Sequence, residues 1–190
     1  MSEILQPADI FLTRGHGLIS RLIRVFTRHI GESRTKVNHV GIVVEGGPTE
    51  KAVVVEALSR VVCRRLIVGY GDGRTEVAVY RPLNLTPDEI KTVVAAAEHY
   101  VGKEYDYFMI VLHLLDWFLQ GAYVFRRLGK GMDNYPICSW VVAHAYLKVG
   151  KKFGVDPGAA SPDDIWDFVT THPEKYQQVR PLVPLVKPES

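Results

Sequence analysis

The chain has 190 residues, enough for one domain with a sizeable hydrophobic core. Charged residues make up 23% of it and apolar residues 47%, which is a globular composition and excludes an intrinsically disordered protein. The net charge of +2 is too small to indicate binding to nucleic acid. Its two cysteines are too few for a disulfide scaffold and predict free thiols in a reducing compartment.

The first residues do not resemble an export signal. Met1-Ser2-Glu3-Ile4 lacks a basic leader followed by an apolar core and a small-residue cleavage site. The sequence therefore predicts a cytoplasmic or phage-associated protein.

The first predicted elements are a short strand and a basic helix. A turn at Pro7-Ala8-Asp9 leads into a strand at Ile10-Phe11-Leu12. From residue 18 to residue 30 apolar side chains recur at helical spacing, and Arg21, Arg24 and Arg28 fall on another face. Such a face either contacts an anionic surface, such as lipid or a cell-wall polymer, or is simply solvated.

Four β-rich runs follow, separated by short turns that contain glycine. They cover Val37–Glu45, Lys51–Leu58, Val61–Val68 and Glu76–Arg81. The first two predict a hairpin, and the set predicts an α+β fold with an antiparallel sheet or small barrel packed against helices. His39 stands at the start of the first run, and Glu56 is the only acid inside the second. The string Gly69-Tyr70-Gly71-Asp72-Gly73 is predicted to be a turn.

Two later segments carry helix-start signatures, each a capping hydroxyl followed by proline and acids. Thr86-Pro87-Asp88-Glu89 predicts a helix that runs to about Val101 and stops at Gly102, and Ser161-Pro162-Asp163-Asp164 predicts a short one. The proline-rich tail from Pro181 onward is expected to run extended over the surface or to fray.

The apolar run from Phe108 to Leu119 lies between these two segments and is interrupted by His113 and Asp116. It is shorter than the about 20 apolar residues that span a bilayer, so no transmembrane segment is expected. A buried helix and a wall of an apolar substrate groove both remain open for it.

The stretch from Tyr135 to Tyr146 places a cysteine on the first turn of a helix. Pro136 cannot continue an upstream helix, and apolar residues recur at helical spacing from Cys138 onward. A thiol at a helix N-terminus faces unpaired N–H groups and the positive end of the macrodipole, which lower its pKa and favour the thiolate. The alternative is a buried structural cysteine, and the presence of a base decides between the two.

Seven histidines are candidate bases. His39 stands at the mouth of a strand, where a ring can project from a sheet edge, whereas His144 lies nearly opposite Cys138 on the same helix. Glu56, on the paired strand, either orients the His39 ring through its other nitrogen or faces outward. There is no H-E-x-x-H, spaced Cys/His cluster, G-x-S-x-G elbow or phosphate loop, so we expect no metal and no cofactor.

The order of the motifs resembles a known family. The motifs are Asp9-Ile10, Asn38–Val43, Val55-Glu56-Ala57, Tyr105-Asp106-Tyr107, Cys138-Ser139 and Ser161–Ile165. In this order they resemble the circularly permuted papain-like amidases, the YiiX-like branch of the NlpC-type cysteine peptidase superfamily. The resemblance covers nearly the whole chain. It implies that residues 1–190 form one domain. Histidine before cysteine distinguishes permuted members from ordinary ones.

This resemblance implies a papain-like core in which the helix carrying the nucleophile packs on an antiparallel barrel. It implies Cys138 as nucleophile, His39 as base and Glu56 as the polar group that orients the base. Tyr105 matches a recurrent tyrosine and is a candidate for substrate binding. The implied partner is a peptide or acyl-amide substrate.

Three functions follow as hypotheses. The first is a cysteine amidase or peptidase that cleaves cell-wall peptides or another amide through an acyl-thioester. The second is a thiol acyltransferase or lipid hydrolase of the lecithin:retinol acyltransferase-like type, with residues 108–119 and the basic helix holding an acyl chain. The third is a non-catalytic binding module on the same fold.

Overall fold

A computed structural model describes residues 3–15, 35–58, 60–103 and 137–188. Three features predicted from the sequence lie outside these ranges. They are the basic helix with Arg21, Arg24 and Arg28, the candidate substrate-binding Tyr105, and the apolar run 108–119.

Eight strands are present in the described residues. They are β1 (Ile4–Leu5), β2 (Ile10–Arg14), β3 (His39–Glu45), β4 (Gly47–Pro48), β5 (Val53–Ala57), β6 (Val61–Arg65), β7 (Asp72–Pro82) and β8 (Tyr176–Val186). Six of them form an antiparallel sheet in the order β6-β5-β3-β2-β7-β8, and β1 pairs with β4 as a separate small sheet.

The antiparallel sheet and the β3–β5 hairpin are confirmed. The small barrel is not found, because within the described ranges β6 and β8 are the two free edges of an open sheet. The hairpin connection also contains more than a turn, since Gly47 and Pro48 pair with Leu5 and Ile4.

Four helices are described. They are α1 (Leu66–Tyr70), α2 (Pro87–Glu98), α3 (Cys138–Leu147) and α4 (Pro162–Thr171). None of these described helices is long and apolar enough to cross a membrane. Both capping boxes are present, Thr86 with Glu89 on α2 and Ser161 with Asp164 on α4.

Helix α1 corrects two predictions. The predicted strand over residues 61–68 ends at Arg65. The chain continues as a short helix because Leu66, Ile67 and Tyr70 on one side of that helix are buried in the core. The predicted turn at Gly69–Gly73 is instead the end of this helix followed by the start of β7.

Two other boundaries differ from expectation. Helix α2 ends at Glu98 and is followed by turn residues up to Gly102, whose φ of 90° only glycine adopts readily. The tail runs extended, as expected, but as far as Val186 it does so as the edge strand β8, which pairs with β7. An edge strand tolerates Pro181 and Pro184, since it needs hydrogen-bond donors on one side only.

The two faces of the large sheet carry separate hydrophobic clusters because strand side chains alternate. On the face covered by α3, the cluster contains Val40 and Ile42 of β3 together with Val141 and Ala145 of the helix. On the opposite face, Phe11, Val43 and Tyr70 are among the packed residues. We refer to these as the helix face and the opposite face.

Gly41 of β3 must lack a side chain because the Phe11 ring lies over it. A Cβ at Gly41 would come within 2.4 Å of the Phe11 ring and 2.6 Å of the Val55 carbonyl oxygen. We expect Gly41→Ala to lower the free energy of unfolding by about 2–4 kcal/mol, because Phe11 must move in a packed core. Urea titration measures this change. Val68→Ala, at a 71% exposed position, is the control that should stay within about 0.5 kcal/mol. Equal midpoints for the two variants would contradict the packing argument.

Candidate active site

Strands β3 and β5 bring His39 and Glu56 together. Glu56 lies opposite Gly41 in the β3–β5 register, and His39 precedes Gly41 by two residues, so the two side chains share the opposite face. Nε2 of His39 lies 2.7 Å from Oε2 of Glu56.

Helix α3 supplies the thiol. It packs against β3, and Cys138 at its first position lies close enough to His39 for charge and hydrogen-bonding interactions between the thiol and the ring to shift the pKa of both groups. Because Nε2 of His39 faces Glu56, Nδ1 is the nitrogen left for the sulfur. The backbone N–H groups of Val40 and Ser139 also lower the pKa of Cys138. The three predicted site residues Cys138, His39 and Glu56 therefore form one connected chain of contacts.

Hydrogen bonds outside this chain of contacts fix the elements that carry it. The hydroxyl of Tyr146 on α3 donates to the carbonyl of Ala8, next to β2. The N–H of Lys36, just before β3, donates to the buried carboxylate of Asp163 on α4 at 3.2 Å. Arg81 pairs with the buried Asp9, with Nη2 and Oδ2 2.8 Å apart. The Asp9 and Asp163 motifs therefore have structural contacts that fix the frame around His39.

Charge interactions shift the pKa values of Cys138 and His39 in opposite directions. Burial alone would lower the pKa of His39, but the charge and hydrogen bond of Cys138, followed by those of Glu56, raise it to about 10. Burial alone would raise the pKa of Cys138, but the charge and hydrogen bond of His39 and the two backbone donors lower it. Both shifts favour a thiolate paired with an imidazolium.

Glu56 is an ionised carboxylate with no solvent-exposed side-chain surface. It accepts from His39, from the hydroxyl of Tyr70, and from Nε of Arg64 at 2.6 Å. Burial favours its neutral form, but the bond and charge of His39 and the bonds from Tyr70 and Arg64 lower its pKa to about 2. Of its two alternatives, the inward orientation is the one that the structure shows.

Sequence reasoning missed Tyr70 and Arg64. Tyr70 lies in the glycine-rich string that predicts a turn, and Arg64 lies in a run that predicts a plain strand. Strand side chains alternate, so Arg64 lies on the same face as Val62, and Val62 stands opposite Glu56 in the β5–β6 register. The sequence alone does not give that register and so could not relate Arg64 to Glu56.

Access to the thiol is narrow. Cys138 is 6% exposed and the His39 side chain 12%. The other cysteine, Cys63 on β6, is exposed, and burial together with the nearby Glu98 and Glu45 raises its pKa. The two thiols are therefore opposite in both exposure and acidity.

The remaining described histidines lie elsewhere. Nδ1 of His144 is 3.2 Å from the Trp140 carbonyl oxygen, and the two rings stack. His172 bonds to the carbonyl of Phe168 in the same way, and His99 packs edge-on against Tyr100. His16, His29 and His113 lie outside the described residues.

No family model matches this chain, and no curated protein is similar to it. Among solved structures, the chain is similar to the crystal structure of the metalloprotein yiiX from Escherichia coli O157:H7, with a TM-score of 0.63. The two share 18% sequence identity, with 94% of this chain and 98% of that one covered. A likeness at this identity establishes a yiiX-like fold and leaves the activity to be argued from the site.

The buried charge of Glu56 predicts an acid-sensitive contribution to stability. Its folded pKa of about 2 lies below the ordinary 4.5, so the contribution is fully present above pH 4.5 and is lost as the pH falls to about 2. We expect wild type to exceed Glu56→Gln by about 3 kcal/mol at pH 7 and the two to converge near pH 2. Urea titrations across this range measure the difference.

Glu45→Gln is the matched control, because Glu45 is the exposed acid at the end of β3. It should leave the acid dependence unchanged. A wild-type advantage over Glu56→Gln that is constant from pH 7 to pH 2 would contradict an ionised Glu56.

Proposed function

We propose that this chain is a cysteine-dependent hydrolase that cleaves amide bonds through an acyl-thioester, with a papain-like, circularly permuted arrangement of its site. The observation that supports this is the contact chain of Cys138, His39 and the buried Glu56. A nucleophile next to a base that a third group orients is the constellation of covalent hydrolases. The order of histidine before cysteine favours the permuted type.

In acylation the Cys138 thiolate attacks the carbonyl carbon of the amide. A C–S bond forms, and the carbonyl electron pair moves to oxygen to give a tetrahedral oxyanion. The imidazolium of His39 then donates its proton to the amide nitrogen as the C–N bond breaks. The products of this half-reaction are a thioester on Cys138, a free amine and a neutral imidazole.

In deacylation the neutral His39 removes a proton from water while the oxygen of that water attacks the thioester carbonyl. The C–S bond breaks, the carboxylic product leaves, and the thiolate and imidazolium are restored. Glu56 stabilises the imidazolium in the resting state and after this step, because its carboxylate is held against Nε2.

The oxyanion requires hydrogen-bond donors, and the start of α3 provides them. The first N–H groups of a helix have no partner within the helix, and they carry the positive end of its dipole. The N–H groups of Val40 and Ser139 act on the sulfur, since they lower the pKa of Cys138. We assign the N–H of Cys138 itself to the oxyanion.

The similar yiiX is described as a metalloprotein, so a metal at this site has to be tested against the residues present. Within residues 3–15, 35–58, 60–103 and 137–188, no group of three or more His, Cys, Asp or Glu side chains is placed to hold a metal ion. Cys138 and one nitrogen of His39 offer only two donors, whereas zinc sites use three or four protein ligands. These residues do not fit a resident metal, and no step above involves one.

The substrate proposed is a peptide or acyl amide, with cell-wall peptides as one source. The lipid alternative depends on the basic helix and on residues 108–119, which lie outside the described part of the chain. An acyl-lipid substrate therefore serves as a comparison arm in the test. Acyl transfer from lipid without amide hydrolysis would overturn the amidase proposal.

The two cysteines give an internal comparison of reactivity. At pH 7 iodoacetamide should alkylate Cys138 at least about tenfold faster than Cys63, although Cys63 is far more exposed, because only the thiolate is a nucleophile. Peptide mapping by mass spectrometry measures both rates in one sample. Cys63→Ser and Cys138→Ser give each rate alone. If Cys138 reacts no faster than an ordinary thiol, the site is not an activated one and the binding-module alternative stands.

Hydrolysis tests the proposal directly. A panel of peptide and acyl-amide substrates should show turnover that Cys138→Ala and His39→Ala each reduce by about a thousandfold or more, and that a chelator leaves unchanged. The pH profile should rise on the acid side, at the lowered pKa of Cys138, and fall on the alkaline side near the His39 pKa of about 10. Cys63→Ser is the control that retains activity. Turnover that survives in Cys138→Ala would refute the mechanism.

A further inference from the structure

Two side chains outside the Cys138–His39–Glu56 chain of contacts complete the surroundings of Glu56. Arg64 on β6 donates from Nε to Oε1 at 2.6 Å, and Tyr70 on α1 donates its hydroxyl to Oε2, the oxygen that also faces His39. The guanidinium of Arg64 lies 5.4 Å from the centroid of the Tyr70 ring. Arg64, Tyr70 and His39 thus approach the carboxylate from three different elements.

The Tyr70 ring also contributes to the packing around the base. Its centroid is 6.3 Å from that of the His39 ring and 5.8 Å from that of Phe11, and the Phe11 ring is 6.2 Å from His39. The same residue therefore donates to the carboxylate and borders the imidazole. Rotation of either His39 or Glu56 would disturb Tyr70.

Gly69 makes room for the Arg64 head group. A Cβ at Gly69 would come within 2.7 Å of Nη2 and 2.8 Å of Cζ of Arg64. The φ of Gly69 does not require glycine, so the space it leaves, and not its backbone conformation, is the reason a side chain is excluded. The segment Gly69–Gly73, which the sequence predicts as a turn, therefore contributes twice to the surroundings of Glu56. Tyr70 donates a hydrogen bond to the carboxylate, and Gly69 leaves space for Arg64.

We propose that Arg64 and Tyr70 are positioning residues of the hydrolase, which act through Glu56 to hold His39 as an imidazolium beside the Cys138 thiolate. This inference rests on the proposed function. Neither side chain is assigned a contact with substrate. On this view Arg64 on β6, with Gly69 and Tyr70 on α1, belongs to the apparatus that positions the base.

Glu56 needs these neighbours because a fully buried carboxylate does not stay charged without hydrogen-bond donors or a counter-charge. The charged and titratable groups that face Glu56 are His39 from β3, Arg64 from β6 and Tyr70 from α1, and Cys138 on α3 acts through His39. If Glu56 takes up a proton, the imidazolium loses its counter-charge. The proton of His39 then returns to Cys138 and the pair becomes a neutral thiol and imidazole, which is a poor nucleophile.

The test measures the rate of Cys138 alkylation against pH in a Cys63→Ser background, so that one thiol reports. Tyr70→Phe keeps the ring and removes only the hydroxyl. Gly69→Ala keeps every hydrogen-bonding group but displaces the Arg64 head, and alanine favours the helix, so it supplies a folded variant where Tyr70→Phe is unstable. Val68→Ala, on the same helix and 71% exposed, is the matched control.

We expect the acid limb of the alkylation profile to move up by about one pH unit in Tyr70→Phe and in Gly69→Ala, and to stay in place in Val68→Ala. A purely structural role would lower the melting temperature or the reactive fraction without moving the limb. If the parent protein is alkylated fast but the acid limb stays in place in both Tyr70→Phe and Gly69→Ala, this inference is overturned and the proposed function stands. Slow alkylation of the parent protein would overturn the proposed function, and this inference with it.

Discussion

The carboxylate of Glu56 lies inside the sheet face with no exposed side-chain surface, yet it carries a charge. Removing a charge from water costs several kcal/mol, so it persists only where donors occupy its oxygens. His39, Tyr70 and Arg64 do so here. The positions of β3, β6 and α1 relative to β5 are thus all constrained by one buried charge.

That constraint explains features of the strands that hydrophobic packing alone would not require. Gly41 lies between His39 and Val43 in a strand otherwise rich in β-branched residues, where glycine costs stability. Its missing side chain lets Phe11 cross the strand and border the His39 ring. Tyr70, Phe11 and His39 then pack as one aromatic group above the sheet, so that a core contact also restricts the orientation of the imidazole.

The sequence predicted local features well, because they depend on local chemistry. Both capping boxes, the β3–β5 hairpin and the helix that begins at Cys138 follow from residue order and period. Helix α1 and strand β8 were missed, because the first is one turn long and the second gains its hydrogen bonds from β7, which is distant in sequence. Pairing of that kind has no local signal.

The residues of the candidate site also differ in whether the local sequence reveals them. The sequence brought forward Cys138, His39 and Glu56, each of which is unusual for its place: a cysteine at a helix start, a histidine at a strand mouth, an acid in an apolar strand. The sequence gives no such signal for Arg64, because an arginine near the end of a strand is common. Its role depends on the β5–β6 register and on the space at Gly69. The structure shows these contacts, and the catalytic roles remain a proposal.

Proton counting shows why this arrangement is compatible with a stable fold at neutral pH. Between the ordinary pKa of histidine, 6.5, and that of cysteine, 9.0, the unfolded chain holds one proton on Cys138 and none on His39. In the folded chain the raised pKa of His39 keeps a proton on the ring, and the lowered pKa of Cys138 favours loss of the proton from the thiol. Stability depends on pH only through a difference in bound protons, so the two shifts have opposite effects on that dependence.

Taken one at a time, the two groups have opposite pH dependences. The stability that His39 gains is fully present below pH 6.5 and is lost toward about pH 10, whereas that of Cys138 is fully present above pH 9.0 and is lost as the pH falls through its lowered pKa. Glu56 enters only below pH 4.5. Because the two shifts oppose each other, the stability that His39 loses as the pH rises is offset by the stability that Cys138 gains.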